Sequence, residues 1–258
     1  MTEIQLTVRY SHGTGKKIMR ISRRLFKIAE KVSQGESAAD IGTDHGYVPM
    51  LLVRNGISPR VIMSDISGGS LAKAIETFEL TGLEADPECF RTGDGLETIE
   101  ASEVDDVIIA GLGGFTIIEI LSNDIDKSRS YRKLILQPRK HSGSLRHFLY
   151  TNGWDIIDED LAPEGKFVCE IITAVPSGTG EGRKELYPED DIRWKYPKEI
   201  VKTDPELARK RILWKIGSIE EQIESLRRSS ADNEKRIREL ESDKEYLTEI
   251  TAGSNEEA

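Results

Sequence analysis

The chain has 258 residues, 37% hydrophobic and 32% charged, with a formal net charge of -10. That length buries a good core, and the surplus polar surface suits one domain of ordinary size with a solvated appendage. The acidic balance argues against indiscriminate nucleic-acid binding, and no apolar run reaches membrane-spanning length. No secretory leader can be assembled at the amino terminus. The two cysteines, Cys89 and Cys169, sit in apolar, strand-like stretches without metal-ligand spacing. They read as buried free thiols in a reducing cytoplasm, not as structural zinc ligands, and no metal is expected.

Ile21, Leu25, Ile28, Ala29 and Val32 recur at helical spacing, which predicts an amphipathic helix over Ile21–Val32. Strands are then expected at Ala38–Ile41, Val61–Ser64, Cys89–Arg91, Val104–Ala110, Lys133–Leu136, Trp154–Asp160 and Phe167–Val175. Helical segments fall between most of them, at Tyr47–Arg54, Ser70–Thr81, Thr116–Leu121 and Ser142–Asn152. Alternation of this kind implies a mostly parallel, doubly wound sheet. Only Pro163 to Lys166 separate the last two strands, too little for a crossover helix, so these must pair as an antiparallel hairpin. An α/β, Rossmann-like sheet with an antiparallel last strand is the class I methyltransferase architecture; dinucleotide dehydrogenases continue in parallel.

After Val175 the texture changes. Pro176–Gly182 reads as a flexible turn, so 177–203 is expected to be a linker or insertion after a Rossmann-like domain over 21–176. From Asp204, Leu207, Ile212, Ile216, Ile219, Ile223 and Leu226 recur mostly three to four apart. A polar break at 229–233 follows, and Ile237, Leu240, Tyr246, Leu247 and Ile250 resume the pattern. Residues 204–258 are thus expected to form an antiparallel coiled-coil hairpin able to hold RNA, a protein partner or a second copy.

The chemistry concentrates in Asp40-Ile41-Gly42-Thr43-Asp44-His45-Gly46, a glycine turn between the first of these strands and the helix at Tyr47. A strand–turn–helix brings backbone N–H groups to a nucleotide-like ligand. Carboxylates repel pyrophosphate, however, and suit a cationic or zwitterionic ligand such as S-adenosylmethionine, with its sulfonium and ammonium. Asp40, Gly42, Thr43, His45 and Gly46 are candidate cofactor contacts. Asp65 with Ile66, ending the second strand, is placed to take the ribose hydroxyls, unless Asp65 merely caps the next helix. Gly93-Asp94-Gly95-Leu96 can offer Asp94 to an adenine amine, with Gly95 and Leu96 beside the ring, although Asp-Gly is also an ordinary turn. Ala110-Gly111-Leu112-Gly113-Gly114 lets backbone approach a transferable methyl, with Ala110, Gly111 and Gly113 as candidates; a ligand-free strand-to-helix turn is the alternative. The [Asn/Asp]-Pro-Pro-aromatic tetrad of exocyclic-amine methylases is missing here, and a ring nitrogen would not need it.

These motifs, with Leu136-Gln137-Pro138, resemble the bacterial tRNA (adenine-22-N1)-methyltransferases, the TrmK family, from about Ile21 to the end. The resemblance implies a cytoplasmic, S-adenosylmethionine-dependent enzyme acting on N1 of an adenine in tRNA. It also departs: Arg139 stands where the family usually has Asn, and residues 1–20 lie beyond the similarity. That extension holds Gly15-Lys16, but Tyr10 replaces the first glycine of a phosphate loop and Lys17 its Ser/Thr. For attack by N1, Asp44 is the candidate carboxylate for the developing charge, or else a helix cap. Tyr47 is a candidate to stack on a flipped-out base, or else a buried aromatic, and His45 reads as a structural hydrogen-bonder. Arg23 and Arg24, with Gln137 and Pro138, are candidate substrate contacts; solvated surface is the default for the two arginines. Rivals are a methyltransferase acting on another RNA base, a nicotinamide oxidoreductase, for which Gly-x-Gly-x-x-Gly is missing, and a non-catalytic RNA-binding adaptor.

Overall fold

The structure, a computed structural model, describes residues 6–12, 15–178, 183–184, 186–229 and 233–252. In chain order, β1 (Leu6–His12) and β2 (Gly15–Ile21) form an antiparallel hairpin, and α1 (Arg23–Ala29) follows. Then come β3 (Ala38–Ile41), α2 (Tyr47–Arg54), β4 (Val61–Asp65), α3 (Gly68–Thr81), β5 (Phe90–Thr92) and β6 (Asp106–Leu112). They are followed by α4 (Gly114–Ser122), α5 (Ile125–Arg129), β7 (Lys133–Pro138), α6 (Ser142–Thr151), β8 (Trp154–Glu164) and β9 (Phe167–Pro176). The chain ends in short α7 (Ile192–Lys195) and α8 (Ile200–Thr203), then long α9 (Pro205–Arg228) and α10 (Glu234–Ala252).

Seven strands make one sheet in the order β5-β4-β3-β6-β7-β9-β8. The pairs from β5 through β7 are parallel, whereas β9 runs antiparallel to both β7 and β8. The strand order reverses between β3 and β6, and a doubly wound sheet opens its ligand crevice at such a point. β3 is buried along its whole length because helices cover both faces of the sheet. Ala38, Met63 and Ile108 point to the α1–α3 side with Met50, Leu71 and Phe78. Their neighbours Ala39, Ile62, Val107 and Ile109 point to the α4–α6 side with Ile117, Leu145 and Leu149. That two-residue alternation places one core on each face.

Local expectations need correction: the first helix ends at Ala29 and not at Val32, and the strand expected at Val104–Ala110 runs from Asp106 to Leu112. The helix does not start at Ile21: this residue ends β2 fully buried, and α1 begins after Ser22, whose extended backbone (φ −69°, ψ 152°) sets the N-cap. The apolar spacing that suggested a longer helix belongs partly to a strand that packs on the same core. Cys89 lies in a one-turn 3-10 helix, Pro87–Cys89, and β5 starts one residue later, because the Asp86 side chain caps that turn at the Glu88 N–H. Both cysteines are free. Burial pushes the thiol of Cys89 up, and burial with the nearby Glu164 pushes that of Cys169 up to about 11, so neither is a ready thiolate.

α1 and the turn after it are fastened to the outermost strand by charge: Lys27 reaches Asp160 at 2.5 Å and Lys31 reaches Asp158 at 2.7 Å. In α9 and α10, Ile212, Ile219, Ile223, Leu240, Leu247 and Ile250 bury against one another, as the heptad-like spacing predicts. The same cluster takes in Leu161 of β8, so the helical hairpin grows from the antiparallel edge of the sheet. The stretch expected as a linker contributes Trp194, Tyr196, Ile200 and Val201, all buried. A buried ion cluster closes this junction. Arg146 of α6 bonds Glu159 and Glu170 at 2.6 Å, and Arg211 of α9 bonds Glu170 at 2.6 Å. Burial opposes ionisation of Glu170, but Arg211 and Arg146 hold its carboxyl below the usual range. No helix among the described residues is long and apolar enough to cross a membrane.

Candidate functional site

At the carboxyl ends of β3, β4 and β6 lies a cleft of about 770 Å³, within the usual size of ligand pockets. The turn after β3 forms its first wall. Gly42 takes φ 76°, and the N–H groups of Gly42 and Thr43 both donate to the Ser64 carbonyl, at 2.8 and 2.9 Å. A side chain at Gly42 would be strained in that left-handed conformation. The wrapped turn leaves Asp40 only 5% exposed, with the Thr43 hydroxyl donating to its Oδ2 at 2.7 Å. Burial raises the Asp40 carboxyl to about 6; Asp65 adds to the rise, while the Thr43 bond and Arg24 oppose it.

Asp44 adopts φ 46°, uncommon for a residue with a side chain and best tolerated by Asp and Asn. Its N–H donates to Asp65 Oδ2 at 3.2 Å, and its half-exposed carboxylate pairs with Lys73 at 2.9 Å and lies 3.7 Å from His45 Nε2. It does not cap α2: the N-cap is Gly46, and no side chain caps that helix. The His45 ring stacks on half-buried Tyr47 at 5.2 Å, and both line the cleft.

Asp65 forms the second wall. Its Oδ1 accepts the Ser67 N–H at 2.8 Å, and Ser67, not Asp65, caps α3 through its hydroxyl. Each Asp65 oxygen therefore keeps capacity for another donor. Ile66 beside it is 70% exposed although apolar, and it faces the cleft. Asp94 precedes the 3-10 turn Gly95–Thr98 without capping it, so its carboxylate stays available in the cleft. The third wall is the Ala110-Gly111-Leu112 bend, where the β6–β7 register shifts, together with Thr116, Glu119, Ile120 and Asn123 of and just after α4.

The structure thus brings together Asp40, Gly42, Thr43, Asp44, His45, Tyr47, Asp65, Ile66, Asp94, Gly95, Ala110, Gly111 and Arg24. Other candidates fall outside the lining. Gly46 is pressed on α3, where a Cβ would stand 2.9 Å from that of Ala74. Leu96 is buried in the α4-side core, and Gly113 serves as N-cap of α4. Arg23 is partly exposed and does not line the cleft. Gln137 and Pro138 are buried: the Gln137 side chain donates to the Pro138 carbonyl and accepts from Arg24 Nη1, each at 2.9 Å. Arg24 also pairs with Glu164, so Gln137 bears on the cleft only through Arg24.

Residues not singled out from the sequence also line the site. Thr116, Glu119, Ile120 and Asn123 follow helical i, i+3, i+4, i+7 spacing, the signal that one face of α4 looks onto a ligand. Arg20 and Glu164 arrive from distant segments, as does Arg139, marked in the sequence only as a departure from the family pattern. The donor set fits an adenosine with a cationic tail. Asp65 and Asp94 can accept hydroxyl or amine protons beside an exposed isoleucine face, and acids line a first turn whose Gly42, Thr43, Asp44 and Gly46 N–H groups already bond within the protein. Among the described residues no group of three or more His, Cys, Asp or Glu is arranged to hold a metal ion.

Comparison with known proteins agrees with this geometry. A family described as "Methyltransferase domain" matches residues 21–172. The tRNA (adenine(22)-N(1))-methyltransferase of Bacillus subtilis is 36% identical over 156 residues, which are 60% of this chain and 65% of that relative. This chain therefore spans just under two thirds of that relative's length. The crystal structure of the B. subtilis m1A22 tRNA methyltransferase TrmK superposes with a TM-score of 0.74 at 28% identity, covering 90% of this chain and 98% of that one. The structure of an uncharacterized protein from Listeria monocytogenes gives 0.76 at 28% identity, over 89% and 99%.

Proposed function

The chain belongs to the methyltransferase-domain family, and from that premise we propose that it methylates N1 of an adenine in tRNA, position 22, using S-adenosylmethionine. The observation that carries the reading is the acid-lined cleft at the β3–β6 switch point, where Asp40, Asp44, Asp65 and Asp94 converge. The choice of tRNA and of position rests on what the B. subtilis relative and the TrmK structure are named for. A cytoplasmic location follows from that substrate.

When bound, S-adenosylmethionine supplies an electrophilic methyl group on a sulfonium. Asp65 and Ile66 would hold the ribose and one face of the adenine, Asp94 the adenine amine, and Asp40 with the Gly42–Thr43 turn the amino-acid tail. The rest is orientation. Holding a ring nitrogen in line with the methyl supplies most of the acceleration, because N1 carries its own in-plane lone pair. Methylation leaves the target ring cationic, and the Asp44 carboxylate stabilises that charge or takes a proton from the N6 amine. Its partner Lys73 fixes its position but drains part of its charge, so the full effect requires that pair to loosen when the base enters. Tyr47, backed by the stacked His45 ring, offers a face to a base that has left its stack.

The test is incubation of the full chain with unmodified tRNA and methyl-labelled S-adenosylmethionine, followed by nucleoside analysis by mass spectrometry. Label in 1-methyladenosine, lost when the adenine at position 22 is replaced, supports the reading. Label in another nucleoside would move the target, and no label with correctly folded protein would refute methyl transfer to RNA.

A further inference from the structure

The β1–β2 hairpin precedes the family match, which starts at residue 21, and its composition runs against the rest of the chain. Between Leu6 and Ile21 there are Arg9, Lys16, Lys17 and Arg20 but no Asp or Glu, in a protein of net charge -10. The strand register orders these residues. Met19 and Ile21 pack into the core on the α1–α3 side, so the intervening positions belong to the opposite face, where Ile18 is 59% exposed and Arg20 is also exposed. Pairing sets Arg9 opposite Ile18, Ser11 opposite Lys16 and Thr7 opposite Arg20, so Arg9, Lys16 and Arg20 occupy positions on that outward face. The face continues into the cleft, because Arg20 is itself part of the lining.

A second observation concerns Arg139, exposed at the end of β7 and also lining the cleft. Its backbone N–H donates to the Leu112 carbonyl at 2.7 Å, which fixes where its side chain starts. Arg24, Lys27, Lys31 and Lys73 nearby all hold carboxylates. Neither Arg20 nor Arg139 has a side-chain hydrogen bond or ion pair among the described residues. In a cleft that also contains Asp94 and Glu119, two arginines left unpaired are free for an anion from outside the protein. Guanidinium groups match phosphate geometry through paired N–H donors.

We propose that the N-terminal hairpin is an RNA-backbone arm: Arg9, Lys16 and Arg20 contact substrate phosphates, and Arg20 with Arg139 holds those flanking the target nucleotide. The proposal rests on the reading of the substrate as RNA. It makes the extension a part of substrate capture and gives Arg139 a phosphate to hold.

The experiment compares the wild-type full chain, the combined Arg9→Ala, Lys16→Ala and Arg20→Ala variant, and Arg139→Ala. Each is measured for binding of an unmodified tRNA transcript across a salt series, and for S-adenosylhomocysteine binding by calorimetry. Each phosphate contact contributes about 0.7 to 0.9 to the slope of log affinity against log salt, so the triple variant should lose about 2 to 3 from that slope. Arg139→Ala should lose about 1 by the same rule. Calorimetry separates lost tRNA contacts from a disturbed cofactor cleft, and Arg20→Lys should retain the slope because it keeps the charge. Equal slopes and tRNA affinities in wild type and triple variant overturn the arm while leaving the RNA reading intact. Failure of the wild type itself to bind tRNA overturns both.

Discussion

Replacing Asp65 by asparagine removes the charge proposed to recognise the ribose. The carboxylate already accepts the N–H groups of Asp44 and Ser67, at 3.2 and 2.8 Å, and its remaining lone pairs face the cleft. Asparagine keeps the shape and one acceptor oxygen, but it removes the charge and turns the other oxygen into a donor, which also gives up the longer backbone bond, that from the Asp44 N–H. A hydrogen bond to a charged group is worth about 1.5–3 kcal/mol against about 0.5–1.5 for a neutral pair, so each of two ribose contacts should weaken by about 1 kcal/mol. About 2 kcal/mol in all corresponds to roughly thirtyfold in affinity. Calorimetric titration with S-adenosylhomocysteine measures it. The protein should remain folded, because Ser67 and not Asp65 caps α3. A dissociation constant within about threefold of wild type would refute the assignment, since even one charged contact should change affinity by more than that.

Asp44→Asn should leave S-adenosylhomocysteine affinity nearly unchanged while lowering single-turnover methylation by at least about tenfold, and unaltered turnover would remove Asp44 from the chemistry. The raised carboxyl of Asp40, at about 6, gives a pH prediction with a definite sign. Its ionised form is the one that attracts a ligand ammonium, so affinity should be full above about pH 7 and fall by up to roughly tenfold per unit below pH 6, whereas Asp40→Asn should be weak and flat across that range. A flat wild-type profile would contradict that role. At the sheet–hairpin junction, Arg146→Ala leaves Glu159 without its bonded partner and Glu170 with Arg211 as its one bonded cation; the loss should be about 3–5 kcal/mol in urea unfolding, and a change below about 1 kcal/mol would show the cluster is not the fastening.

Much of the fold was legible because its signals are local. The change of period between helix and strand and the short connection after Glu164 define the doubly wound sheet and its antiparallel end. The isoleucine and leucine spacing after Asp204 does the same for the helical hairpin. The convergence of Asp40, Asp65 and Asp94 on one cleft was legible because each stands at or just past the carboxyl end of a strand. What was not legible depends on distance in sequence. Arg24 read as a substrate contact or, by default, as solvated surface, yet Glu164 and Gln137 from two other strands engage it. Gly46 looked like a ligand glycine, yet α3 demands it. The β1–β2 hairpin had the alternation of such a unit, but Ile21 shares its apolar partners with α1, and the helical period hid the strand.

The central claim is that the turn from Asp40 to Gly46 seats a methyl donor with a cationic tail. A crystal structure of the protein grown with S-adenosylhomocysteine tests it most directly. The expected complex has ribose hydroxyls on Asp65, the adenine between Ile66 and Asp94, and the amino-acid tail within reach of Asp40. Ligand density outside this cleft, or a ribose turned away from Asp65, would contradict it.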